Sequence, residues 1–67
     1  MGDNMKNKYH TYLVVYMANH NGTGVRYGSK TCRTASTGEE LVLFAEATAI
    51  NHSGTEQVVI INICKLD

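Results

Sequence analysis

No proline occurs in the 67 residues, and only two cysteines do, Cys32 and Cys64. Two thiols allow at most one internal bridge, which excludes a disulfide framework as the staple of so short a chain. No apolar run approaches the roughly 20 residues that a membrane-crossing helix needs. The opening stretch MGDNMKNKY is polar, without the apolar core or small-residue cleavage site of a secretion leader. A cytoplasmic location is therefore expected, with both thiols reduced. Internal repeats and low-complexity segments are also lacking. What remains is one domain, expected over residues 8–67 behind a flexible polar tail at 1–7. A chain of this size buries only about 60% of its unfolded surface. Association with another chain is one of the usual supplements.

Signatures of chemistry are equally scarce. His10, His20 and His52 are far apart, and none has a second ligand at zinc spacing, so no metal or cofactor is expected. The glycines of NGTG, residues 21–24, join two extended segments, whereas a phosphate cradle leads from a strand into a helix N-terminus. GSK, residues 28–30, lacks the upstream glycine spacing and the following helix of a Walker loop. No serine or threonine stands in a nucleophile elbow or beside an evident base. No catalytic residue is assigned, and an enzyme is not expected.

The elements are easier to read. KYHTYLVVYMA, residues 8–18, is rich in the β-branched and aromatic residues that suit a pleated surface. NHNGTG, residues 19–24, supplies the Asn and Gly that a hairpin loop needs. VRYGSKTCRT, residues 25–34, reads as the returning strand, with Gly28 marking a bulge or a close backbone approach. Ser36 with Glu39, and Thr37 with Glu40, fit the capping box of a helix over residues 38–51. Leu41, Phe44, Ala45, Thr48 and Ala49 form its apolar stripe. Gly54 is free to close the helix in a left-handed conformation. EQVVIINICKL, residues 56–66, is the third strand. The fold class is α+β: two layers, β-β-α-β, with one helix on one face of a three-stranded, mainly antiparallel sheet. Strand 1, the longest and most apolar, is placed in the middle, giving order 2-1-3; strand 3 beside strand 2 is the alternative.

Strands 1 and 3 are apolar on both faces, where a half-wet strand should alternate. One helix shelters only one face. Leu13, Val15, Met17, Val59, Ile61 and Ile63 are expected beneath the helix. Tyr12, Val14, Tyr16, Tyr27, Val58 and Ile60 are expected on the open face, as an interface with a second copy or a larger protein partner. A face of about 400 Å² is near the largest apolar patch usual on a monomer, and a two-fold dimer is the simplest cover.

Charge is divided along the chain although the formal net charge is zero. Residues 1–34 hold five cations against Asp3, and residues 35–67 hold five carboxylates against Lys65, so the halves carry +4 and −4. All four tyrosines fall in the basic half. Together with Arg26, Lys30 and Arg33 they suggest an alternative reading, stacking and phosphate contact with nucleic acid or nucleotides.

The run YHTYLVVYMANHNGTGVRYGS, the helix start STGEEL and the closing VVIINICKL together resemble small phage- and prophage-encoded proteins. These have an aromatic strand, a glycine-containing hairpin, one helix and a last strand ending I-N-x-x-x-L. The likeness covers about residues 9–66 and implies a β-β-α-β fold and a mobile-element origin. By analogy it implies an accessory role that includes inhibition of a host protein. It carries over no functional residue.

Overall fold

The computed structural model describes residues 8–67. The tail expected at 1–7 lies outside them. Strand β1 spans His10–His20, β2 Gly24–Thr34 and β3 Val58–Lys65, and the helix α1 spans Glu39–Ser53. The sheet order is β2-β1-β3 with both pairings antiparallel, and α1 links the two outer strands across one face. This is the β-β-α-β, α+β architecture with strand 1 central.

The hairpin turns through Asn21, Gly22 and Thr23. The Thr23 amide donates to the His20 carbonyl at 2.9 Å, and Gly22 and Gly24 take positive φ. The β1–β2 ladder runs unbroken from His10 opposite Thr34 to His20 opposite Gly24. Gly28 is therefore no bulge. It lies opposite Tyr16, and a Cβ there would stand 2.5 Å from the Tyr16 hydroxyl oxygen. The glycine permits the close approach that was its other reading.

The helix begins on Gly38, at φ 61, with no side-chain cap. The expected capping boxes do not form. Ser36 instead closes a local turn with Thr34, whose hydroxyl oxygen accepts from the Ser36 amide at 3.0 Å. Local hydroxyl–backbone bonds of this kind compete with capping. Glu39 and Glu40 still occupy the first turn, where the helix dipole favours them. At the other end Gly54, at φ 84, donates its amide to the Ile50 carbonyl at 2.9 Å.

The core corrects the expected choice of face. Val14, Tyr16 and Ala18 are buried beneath α1, which meets them through Ala45 and Ala49, and Tyr12 is buried on the same face of the sheet. Cys32, Val58, Ile60 and Ile63 pack around this cluster. Tyr12, Val14, Tyr16, Val58 and Ile60 thus lie on the sheltered side, not the open one. The physical reason is size. Two alanine methyls let the helix come close to the sheet, and the two phenols of β1 fill the space beside it. Of the expected helix stripe, Leu41 and Thr48 are half-buried and Phe44 is exposed.

Strand β3 has a further irregularity. Tyr16 pairs with Ile60 but Val15 pairs with Asn62, so Ile61 is an extra residue, a bulge. Side chains alternate along a strand, and one inserted residue inverts the alternation beyond it. Val58 and Ile60 before the bulge and Ile63 after it consequently face the same core.

Candidate functional site

The uncovered face of the sheet follows from the register. Along β1 it carries Thr11, Leu13, Val15 and Met17, all half-buried. Residues directly opposite one another share a face. Strand β2 therefore adds Tyr27, Ser29, Thr31 and Arg33, and β3 adds Val59, Asn62 and Cys64. The face is not uniformly apolar. Next to the hairpin, Tyr27, Met17 and Val59 make an apolar row across all three strands, with Tyr27 74% and Val59 56% exposed. Ile61, exposed at the bulge, and Val25 extend this end. Farther along, Leu13 and Val15 run between Ser29 and Thr31 on one side and Asn62 and Cys64 on the other.

The far end is tied by Asp67. Its carboxylate oxygens accept from the Thr11 amide at 3.3 Å and lie 3.4 Å from His10 Nδ1 and 3.9 Å from Arg33. The Leu66 amide donates to the Thr11 carbonyl at 2.8 Å, prolonging the β1–β3 ladder. Partial loss of solvent pushes the Asp67 carboxyl up. The Thr11 amide and the attraction of His10 outweigh this, and the group titrates below the ordinary 3.8.

Of the residues expected on the open face, only Tyr27 stands there. The sequence reading missed Leu13, Val15, Met17 and Val59, which it had placed under the helix. Arg26 and Lys30 lie opposite Ala18 and Val14, so they project along the helix side of edge strand β2, while Arg33 points to the open side and donates to Thr11 Oγ1 at 3.3 Å. The three cations are split between two faces. The tyrosines are split as well: Tyr12 and Tyr16 are core, Tyr9 and Tyr27 exposed.

Between β2 and α1 runs an open groove of about 410 Å³ lined by Lys30, Thr31, Cys32, Phe44, Thr48, Asn51 and His52. His52 of its lining is hydrogen-bonded through Nδ1 to the buried Tyr16 hydroxyl at 2.7 Å, and the rings meet edge to face. Each satisfies the other, and the bond pins the last helical turn to the central strand. No side chain on a single-residue scan of the strands announces this pair, because residues 16 and 52 are brought together only by the crossover.

Cys32 is half-buried on the helix side and Cys64 is exposed on the open side, at opposite edges of the sheet, and both are free. Among the described residues, no three or more His, Cys, Asp or Glu side chains gather where they could hold a metal ion. No described helix is long and apolar enough to cross a membrane. No protein-family model, no curated protein and no solved structure matches this chain.

Proposed function

We propose that this is a small binding protein that acts without catalysis and self-associates through the open sheet face. The observation that carries this reading is the row Tyr27–Met17–Val59 on the face that α1 leaves uncovered, with Tyr27 and Val59 exposed and Met17 half-buried between them. A two-fold axis parallel to β1 lays hairpin end on hairpin end and sets Tyr27 over the partner's Val59. Stacked sheets accommodate this with an offset of about 30° from their twist.

Both sheet edges discourage the competing mode, edge-to-edge pairing. Strand β2 carries Arg26, Lys30 and Arg33 along its length, and β3 is interrupted by the Ile61 bulge and ends in Lys65. Charges and bulges are the common means of blunting an edge. The face therefore remains the favoured contact.

Its strength is limited by area. Three strands about 14 Å wide and eight residues long give a footprint of roughly 370 Å² per copy. Two such footprints fall short of the roughly 1,200 Å² at which standard stable interfaces begin. The dimer is accordingly a weak one, populated at high micromolar concentration. Light scattering on a concentration series tests it. The mass should climb from 7.4 kDa toward twice that value, and Met17→Lys should hold it at the monomer. A monomer throughout the series, or a Met17→Lys variant that associates like the parent, overturns the reading.

Nucleic-acid binding has less support, because no single face unites the tyrosines with the cations. Action on a host protein, as the resemblance to phage-encoded proteins implies, is compatible with a binding role and rests on that resemblance alone.

A further inference from the structure

The helix is apolar on two sides. Ala45 and Ala49 are fully buried against the sheet, while Leu43, one of the largest apolar side chains in α1, is 64% exposed. At 100° per residue, Leu43, Ala47 and Ile50 fall on one line, i, i+4 and i+7, turned away from the two alanines. Ala47 is exposed and Ile50 half-buried. Glu39 and Glu46 border this seam on one side and Glu40 on the other, all three exposed. Among the described residues the ion pairs are those of Asp67 with His10 and Arg33, so none of the three glutamates has a cation within 4.0 Å.

We propose that the outer face of α1 is a docking seam for a basic amphipathic helix of another protein. The apolar line supplies the spacing that a partner helix reads as i, i+4 and i+7 anchors. The carboxylates select the partner by charge: Lys or Arg flanking its apolar stripe meets Glu39, Glu40 and Glu46, and an acidic stripe is repelled. The same charges exclude two other occupants. A second copy pairing antiparallel through this seam would bring Glu46 of one chain against the partner's Glu46, near the midpoint between Leu43 and Ile50. An anionic lipid surface would meet three like charges. The seam lies on the opposite layer from the open sheet face, so a dimer formed through the sheet would leave one seam free on each outer side.

The test uses the full chain and two labelled synthetic helices of about 18 residues, five turns. Both carry the same leucine stripe, one flanked by lysine and the other by glutamate, and binding is read by fluorescence anisotropy. The lysine peptide should bind at least tenfold tighter than the glutamate peptide, about 1.4 kcal/mol or more. Glu40→Lys with Glu46→Lys should invert that order. Leu43→Gln, at a solvent-facing position, should weaken lysine-peptide binding by roughly tenfold or more while circular dichroism stays unchanged. Glu56→Lys makes the same kind of charge change in the segment before β3 and should leave affinity within about twofold. Amide shifts should centre on Leu43, Ala47 and Ile50. Equal losses from Glu56→Lys and Glu46→Lys would mean undirected charge attraction and overturn the proposal. So would indifference to Leu43→Gln, equal binding of the two peptides, or abolition of binding by Val59→Asp on the sheet face. None of these outcomes bears on self-association, which Met17→Lys reports separately.

Discussion

Tyr16 and Gly28 face each other across the β1–β2 ladder, and the phenol of one occupies the space that a side chain on the other would need. The ring is not free to step aside. It is buried under α1, and its hydroxyl is held by His52 at 2.7 Å. Gly28→Ala should therefore lower stability by about 1–3 kcal/mol, the usual result of overpacking a filled site. Urea denaturation checks this. In a Tyr16→Leu background the same alanine should cost much less, giving a coupling energy that identifies the phenol as the cause.

The side of the sheet that faces the helix yields a sharp contrast between adjacent residues. Ile60 packs on the core and Val59 stands 56% exposed on the other face. Ile60→Asp buries an unpaired charge and should unfold the domain, a loss above about 3 kcal/mol. Val59→Asp should stay folded, within about 1 kcal/mol of the parent, and remain a monomer. Val14, fully buried, should lose about 2 kcal/mol on truncation to alanine. Thermal melts of the three variants read the stabilities, and light scattering reads the mass of Val59→Asp.

Acid should loosen the end of the sheet where Asp67 lies. A carboxyl whose folded pKa is depressed stabilises the fold fully above its unfolded value, here 3.8, and loses that contribution as pH falls through the lower folded value. Amide exchange at Thr11, the donor to Asp67, should therefore quicken as pH is lowered from 5 toward 3, after correction for the intrinsic rate. Asp67→Asn should show weaker Thr11 protection at pH 5 and no further change from this group on acidification.

Deleting Ile61 should be tolerated by the core. Without the bulge, Val58, Ile60 and the residue now at Ile63 alternate regularly and still face α1. What changes is the edge, which becomes straight and able to pair with another strand. The deletion variant should keep its circular dichroism and melt cooperatively, yet aggregate at concentrations where the parent stays dispersed. Turbidity and thioflavin fluorescence over a concentration series measure the difference.

The element order, the hairpin, the central position of strand 1 and the left-handed stop at Gly54 were all legible in the residues. Each depends on a local signal: turn-forming Asn and Gly, the period of the apolar residues, or the apolar content of strand 1. The sign of the sheet was not. Strand 1 offers Tyr12, Val14 and Tyr16 on one parity and Leu13, Val15 and Met17 on the other, and alternation cannot choose between two apolar sets. The helix gave no help, because Leu43 and Phe44 weigh more than Ala45 and Ala49 on any hydropathy scale while the alanines are the contact. In strand 3 the Ile61 bulge put Ile63 and Ile60 on one side, against their parity. The uncovered face was therefore expected on the wrong residues, with Tyr27 the exception. The Tyr16–His52 bond and the outer helix seam appear only once the crossover sets α1 on the sheet.

Ala45 and Ala49 carry a consequence for how the molecule opens. A helix seated by two methyl groups detaches more easily than one anchored by large side chains. When it lifts, Tyr12, Val14 and Tyr16 are bared while Leu13, Val15 and Met17 are already half-exposed on the reverse. The hairpin and β3 are then greasy above and below at once, a sticky ribbon with no dry side left to hide. Coagulation of this protein should begin from that half-undressed form rather than from the random coil.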